Sequence, residues 1–366
     1  MTSLFSPMEL GGLSLPNRIW MSAMTRTRAT PHNVPTALMA EYFSQRAAAG
    51  LIVTDCTAVS EQGKGVVNGP GIWRDDQVAG WRTITDAVHA AGGRIYCQLW
   101  HCGRVAHPDM RDGKPPVAPS RLPAQGKFKF PDREEDFPIP RELAADEIPG
   151  IIKDFVQATR NAREAGFDGA ELHGANGYLH DQFLQDVSNK RTDDWGGSVE
   201  NRGRLMLATI DAMADAWSIE RIGIRLGPSI SLYGMGDSEP LATFGYVVRE
   251  LDRRRVGYLT MLEPNAKDLE NGVAIEHVAR TFRPMTSVPF IANTGFDRRK
   301  GMAAVESSEV DAVAYGVPFI ANPDLVARFK AKADVLNKPD AATFYGSGPK
   351  GYTDYPTLAQ TKENAL

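Results

Sequence analysis

A single (β/α)8 TIM barrel is the fold class that this 366-residue chain predicts. Three observations carry the prediction. Eight short apolar runs recur along the chain, separated by longer stretches with apolar residues at helical spacing. Several of these runs are nearly continuously apolar, as parallel strands covered by helices require. The length also exceeds the roughly 250 residues of one barrel, which leaves room for insertions. The rival architecture is an open doubly wound sheet, which normally carries a glycine-rich fingerprint after its first strand. Here that position reads Thr25-Arg26-Thr27-Arg28, without such glycines.

The predicted strands, in order, are Arg18–Met24, Leu51–Cys56, Arg94–Trp100, Gly169–His173, Ile222–Leu226, Tyr258–Leu262, Pro289–Ala292 and Ala312–Tyr315. Residues 1–17 precede them as a small cap over the bottom of the barrel. Asp146-Glu147-Ile148-Pro149 opens a helix, Ile151–Ala165 continues it, and Gly166 closes it as a C-terminal glycine should. Asn201–Trp217 is a second clear helical pattern. The gap between strands three and four is about 70 residues, and its centre, Lys114–Pro140, is rich in proline and charge. It predicts a lid insertion over about 105–142, built as a hairpin above the C-terminal mouth. Ala341–Leu366 forms a tail whose Phe344-Tyr345-Gly346-Ser347-Gly348 reads as a loop. No second domain is expected; 1–366 reads as one barrel domain.

Composition narrows the function. Hydrophobic residues make up 42% and charged residues 23%, ordinary for a globular protein. The net charge of −4 offers no basic excess for a nucleic acid backbone. Arg253-Arg254-Arg255 and Arg298-Arg299-Lys300 read as short solvated faces. The three cysteines, Cys56, Cys97 and Cys102, are too few and too oddly spaced for a disulfide framework or a zinc knuckle. The opening Met1–Pro7 lacks a leader pattern, and no apolar stretch reaches the ~18 residues of a membrane span. A cytoplasmic protein without membrane or nucleic acid partners is expected.

In a barrel, chemistry gathers where the strands end. These ends carry Ala23-Met24-Thr25, Asp55-Cys56-Thr57, Gln98-Leu99-Trp100-His101, His173 with Asn176 and Tyr178, Arg225, Asn293-Thr294-Gly295 and Gly316-Val317. No acidic and histidine set suggests a metal site, and His101 with His107 is a poor pair of ligands. Neutral hydrogen-bonding groups, one arginine, and glycines near the last two strands suit a flat polar heterocycle with a phosphate tail. Gln98 can pair with a pyrimidine-like edge, and Arg225 can stabilise negative charge on the ring. The bland rivals are a core histidine at 173, an Arg225 paired with a buried carboxylate, and a Gln98 that only bridges backbones.

In order, the motifs are Leu4-Phe5-Ser6-Pro7, Pro16-Asn17-Arg18, Met24-Thr25-Arg26, Gln98-Leu99-Trp100-His101 and Glu171-Leu172-His173-Gly174-Ala175-Asn176-Gly177-Tyr178. Gln182-Phe183-Leu184, Arg191-Thr192-Asp193, Trp195–Arg202, Ile320–Leu325 and Gly351–Pro356 follow. Together they resemble the Old Yellow Enzyme family across essentially the whole chain, in particular its bacterial N-ethylmaleimide and pentaerythritol tetranitrate reductase branch. The resemblance implies bound FMN, reduced by NADPH or NADH, passing a hydride to the β-carbon of an alkene conjugated to a carbonyl or nitro group. Nitrate esters and nitroaromatics are rival substrates, and the assembly implied is a monomer or weak homodimer.

Carried over residue by residue, Thr25, Gln98 and Arg225 would meet the flavin ring. Ala23, Met24 and Cys56 would add contacts, and Thr294, Gly295, Gly316 and Val317 would surround the phosphate. His173 and Asn176 would donate to the acceptor oxygen, each worth about 3 kcal/mol of barrier. Tyr178 would protonate the α-carbon from the face opposite the flavin. Trp100, Val66 and Tyr345 would line the substrate pocket. Two positions depart from the family. Its usual arginine at the phosphate is Val317 here, which would weaken FMN binding unless Arg299 or Lys300 compensates. Val66 replaces a common aromatic at the rim and would widen the pocket.

Overall fold

The computed structural model describes residues 2–332 and 336–363. Eight parallel strands close on themselves: β1 (Ile19–Met21), β2 (Ile52–Val53), β3 (Ile95–Trp100), β4 (Gly169–Gly174), β5 (Ile222–Leu226), β6 (Tyr258–Leu262), β7 (Phe290–Asn293) and β8 (Ala312–Tyr315). Each pairs with the next, β8 returns to β1, and β4 to β3 completes the circle. The helices α1 (Ala37–Ser44), α2 (Asp75–Ala90), α3 (Ile148–Glu164), α4 (Val199–Ala216), α5 (Pro240–Arg254), α6 (Val278–Phe282), α7 (Arg298–Glu306) and α8 (Leu325–Lys330) follow the strands in turn. This is the (β/α)8 barrel that the alternating apolar runs predict.

Period-two alternation divides each strand. Outward residues such as Cys97, Leu99, Ala170, Leu172, Ile224, Leu259 and Ala292 join the helix layer in one large core. Inward residues fill the barrel. At the bottom, Trp20, Tyr96, Tyr258, Ile291 and Ala312 pack with Met8, Leu10 and Leu15 of the antiparallel hairpin Met8–Leu10/Leu13–Leu15. This hairpin is the expected cap. Gly169 and Gly223 face inward because the rings of Tyr96 and Tyr258 occupy the space a Cβ would need, at 2.3 and 2.2 Å.

The helix predicted over Ile151–Ala165 runs Ile148–Glu164, and Gly166 follows at φ 84°. α4 begins two residues before the predicted Asn201, where the Ser198 hydroxyl accepts from the Asn201 amide.

The first two strands are shorter than their apolar runs predict. β1 stops at Met21 because the chain then leaves the ladder, and the Ala23 carbonyl accepts from the Arg225 guanidinium at 3.2 Å. β2 stops at Val53 because the Thr54 hydroxyl, not a backbone carbonyl, receives the Gln98 amide at 3.0 Å. In both, a side chain takes over the hydrogen bond that would have continued the strand.

The insertion after β3 contains the antiparallel hairpin Lys127–Lys129/Glu134–Asp136. Its Phe128 and Phe137 are buried with Val105 and Ala124, beside Tyr178 and Tyr233. Phe344–Gly348 is a loop, as read, and the rest of the tail is more ordered. It includes the helix Leu358–Glu363 and folds back over α1, where Tyr352 stacks on Tyr42 at 4.0 Å. Its last residues, 364–366, lie outside the described part.

Arg46 ties these pieces together. It is fully buried, with its guanidinium 3.7 Å from the centre of the Tyr42 ring. It donates to the carbonyls of Phe319, Tyr42 and Ile320 at 2.8–2.9 Å and of Tyr352 at 3.4 Å. Replacing it would leave several carbonyls unpaired. Arg46→Met is expected to destabilise the fold by about 3 kcal/mol, read from the urea midpoint; a loss below about 1 kcal/mol would show that the carbonyls find other donors.

Candidate active site

The upper interior of the barrel holds a polar layer. Gln98 donates to the Glu171 carboxylate at 2.6 Å and accepts from the Cys56 thiol at 3.1 Å. Thr260 donates to the other Glu171 oxygen at 3.3 Å. Arg225 donates to Asn293 Oδ1 at 2.9 Å as well as to the Ala23 carbonyl. Asn293 in turn donates to the Ala314 carbonyl at 2.6 Å, which sets its amide orientation. Burial raises the Glu171 pKa, and the Arg225 charge opposes the rise. Burial lowers the Arg225 pKa, opposed first by Glu171. The two interact through space, but Arg225's direct partners are neutral. The reading of Arg225 as half of a buried ion pair is therefore not what the structure contains.

Above this layer opens a cavity of about 380 Å³, lined among others by Ala23, Met24, Thr25, Arg225, Thr294, Gly295, Gly316, Val317 and Tyr345. Arg225 Nε is buried and has no partner among the described residues, and one Gln98 amide proton is left over once Glu171 is bonded. Those are free donors of the kind an FMN ring edge accepts. At the far end Thr294 and Gly295 both adopt left-handed backbone, at φ 79° and 78°. For a β-branched threonine this is a strained state, costing about 1–3 kcal/mol. A Cβ at Gly295 would meet no protein atom, so the turn is open toward a ligand. Val317 is half exposed at the start of the helix Val317–Ala321. Lys300 Nζ lies 3.3 Å from the Gly295 carbonyl. These residues fit a phosphate-bearing heterocycle such as FMN.

The second cluster stands on the loop after β4. His173 is buried, and its Nδ1 accepts from the Ala175 amide at 3.3 Å, which leaves the proton on Nε2. Burial, then the charge of Arg225, hold its pKa well below the ordinary 6.5. The Tyr178 ring meets His173 edge-on at 5.0 Å and Trp100 edge-on at 5.0 Å. Burial pushes the Tyr178 phenol well above its ordinary range. Asn176 is half-buried between them in sequence, in left-handed backbone at φ 56°, and Gly177 follows at φ 76°. Val66 and Cys56 pack beside Trp100 and Tyr178. Burial pushes the Cys56 thiol up to about 12, so it serves as a donor to Gln98 and not as a thiolate. Tyr345 is 67% exposed and contributes to the cavity lining from its rim.

Residues without a predicted role hold this loop. The Asp181 carboxylate accepts from the Gly177 amide at 2.8 Å. Gln182 donates to the carbonyls of Gly177 at 2.6 Å and Cys102 at 3.0 Å, and accepts from the Arg104 amide at 3.0 Å. It thereby joins the loops after β3 and β4. Burial raises Asp181 to about 7, opposed by the Gln185 hydrogen bond. Glu171 and Asn293 also escaped assignment, although both sit inside the quoted strand ends. Their polar type at an inward register position was the available signal.

Over residues 3–335 the sequence matches the NADH:flavin oxidoreductase / NADH oxidase family. The chain belongs to that family. It is an FMN-dependent oxidoreductase reduced by a nicotinamide dinucleotide. The chain is 40% identical to 12-oxophytodienoate reductase 2 of Arabidopsis thaliana, over 98% of this chain and 96% of the other. The fold superposes on the old yellow enzyme homologue from Zymomonas mobilis with a TM-score of 0.94 at 41% identity, covering 97% and 100% of the two chains. Morphinone reductase in complex with tetrahydroNAD gives 0.92 at 46% identity, covering 98% of each. The resemblance to Old Yellow Enzymes is thus borne out in both sequence and fold, and the bacterial branch fits these neighbours.

A depressed histidine pKa means that the neutral ring prevails at pH 6.5 and above, and persists well below it. The pH dependence of kcat/KM for an activated alkene is therefore expected to show no limb from His173 between about pH 5 and 9. His173→Gln should lower the rate without changing the profile's shape. A limb near 6.5 that the variant abolishes would contradict the assignment.

Proposed function

We propose that this enzyme reduces the C=C bond of alkenes conjugated to a carbonyl or nitro group, within one FMN-binding domain. His173 and Asn176 hold the acceptor oxygen, and Tyr178 protonates the α-carbon. The observation that carries this reading is the pairing of a neutral histidine donor with a half-buried, protonated tyrosine on one wall. FMN, when bound, supplies the hydride. Arg225, Gln98 and Thr25 would hold its ring, with Ala23 and Met24 beside it and Cys56 steadying Gln98. Thr294, Gly295, Gly316 and Val317 would surround its phosphate.

Negative charge grows on the acceptor oxygen as the alkene is reduced. His173 Nε2–H and the Asn176 amide are placed in this reading to receive it, each contributing about 3 kcal/mol. A neutral donor keeps its proton throughout, so the oxygen is polarised without being protonated prematurely. Tyr178 is a weak acid at rest, which keeps it loaded. It yields its proton only when the α-carbon becomes strongly basic, from the face opposite the flavin. Trp100, Val66 and Tyr345 bound the substrate space, with Val66 leaving room for bulkier alkenes. The same donors would also accept a nitro group, so nitrate esters and nitroaromatics belong to the candidate substrates. Three free, buried cysteines support a reducing, cytoplasmic setting, and a monomer or weak homodimer is the assembly we favour.

The decisive experiment is anaerobic. NADPH or NADH should bleach the flavin, and 2-cyclohexenone should restore its colour. Tyr178→Phe is expected to slow the second step about 100-fold while leaving the first unchanged. A protein that takes up no FMN, or whose reduced flavin ignores the enone, would overturn the reading. The phosphate end is tested separately. Wild-type protein should lose flavin on dilution and gel filtration, and Val317→Arg should tighten FMN about tenfold, or ~1.4 kcal/mol. Unchanged affinity would mean that Lys300, beside the Gly295 carbonyl, already supplies the missing charge.

A further inference from the structure

Glu171 is a buried carboxylate that takes no part in hydride or proton transfer. It lies on β4 one layer beneath His173, facing the barrel interior, with 2% of its surface exposed. A carboxylate in that place is costly unless charge or hydrogen bonds offset its lost hydration. Its direct partners are neutral. Gln98 donates to one oxygen at 2.6 Å and Thr260 to the other at 3.3 Å. Arg225 makes its own bonds to Asn293 and to the Ala23 carbonyl. Among the described residues, then, no cation touches the Glu171 carboxylate.

This carboxylate dictates how the Gln98 amide is turned. The amide oxygen accepts from the Cys56 thiol at 3.1 Å, and the amide nitrogen donates to Glu171. A flip would set amide oxygen against carboxylate oxygen, acceptor against acceptor, and amide nitrogen against the thiol proton. In the orientation observed, one amide proton and one carbonyl lone pair are left over on Gln98. That is the donor and acceptor pair that a pyrimidine edge complements.

We propose that Glu171 is a positioning residue for the flavin: it fixes the turn of the Gln98 amide, and its charge lowers the potential of bound FMN. The inference rests on Gln98 and Arg225 being contacts of the ring. Hydride from the nicotinamide brings two electrons and one proton, so reduction adds one negative charge at the ring. Arg225 favours that charge and Glu171 opposes it. Both act in a barrel interior where water and salt screen little. The arginine keeps reduction by the nicotinamide favourable. The carboxylate keeps the reduced cofactor a strong enough hydride donor for an alkene.

Glu171→Gln keeps the side-chain volume and an acceptor for Gln98, and removes the charge. Holoenzyme would be equilibrated anaerobically at neutral pH with a reference dye of known potential, and oxidised and reduced flavin read by absorbance. At a fixed poise the ratio of reduced to oxidised flavin should rise about tenfold in the variant, or ~30 mV for a two-electron couple. Affinity for oxidised FMN, read by titrating apoprotein, should stay within about twofold because the acceptor for Gln98 is kept. Glu171→Leu removes the acceptor as well and should weaken oxidised FMN about tenfold. In the double variant Gln98→Leu/Glu171→Leu the loss should be no greater than in Gln98→Leu alone, because Glu171 acts through Gln98. An unchanged or lowered reduced fraction in Glu171→Gln would overturn the effect of charge, and additive losses would overturn the positioning. A Gln98→Leu protein that holds FMN as tightly as wild type would instead overturn the ring contact on which the inference rests.

Discussion

The register of β4 between its two neighbours is the constraint from which the site follows. Glu171 stands opposite Gln98 on one side, and His173 stands opposite Arg225 on the other. With a period of two, these four side chains must all face the barrel interior if any one does. Arg225 in turn faces Thr260 on β6. A slip of one residue would send the whole set outward into the helix layer, where Leu172, Leu99 and Ile224 now pack. The register is held from below by the rings of Tyr96 and Tyr258, which fill the notches left by Gly169 and Gly223. Apolar packing at the bottom of the barrel thus positions polar groups at its top.

Above the strands, backbone strain replaces register as the organising device. Asn176, Tyr233 and Thr294 are all left-handed without being glycine, and each lies on a loop at the mouth. Asparagine tolerates this conformation because its short amide fits locally; tyrosine and threonine do so poorly. Each state persists because neighbouring loops dictate it. Asp181 and Gln182 clamp the turn through Asn176, and Gln125 with Arg104 pins the carbonyl of Tyr233. Among the described residues the Asp181 carboxylate has no cationic partner in direct contact and is held by an amide and by Gln185. Polar groups buried at this cost contribute position more than stability.

Much of this was legible beforehand. The eight strands, the cap and the long helices followed from apolar periodicity and from Gly166, since burying a covered parallel sheet demands continuous apolar runs. The strand ends disclosed the chemistry-bearing residues because a barrel presents them on one face. Less legible were β1 and β2, whose apolar runs continue past the point where the strands stop. Arg225 and Thr54 take over the hydrogen bonds there, and periodicity contains no record of a side chain from elsewhere.

By itself, the sequence determined the barrel, the inward parity of each strand end and the types of donor available at its mouth. Those properties depend on local pattern and on the alternation of side chains along a strand. Only the tertiary structure decided which donors remain free, why His173 stays neutral and what faces Tyr178. Each of these depends on burial and on partners distant in the chain: Asn293 for Arg225, Glu171 for Gln98, and Tyr233 across from Tyr178. Hydrogen-bond satisfaction and desolvation arise only when the chain closes, so no local pattern encodes them.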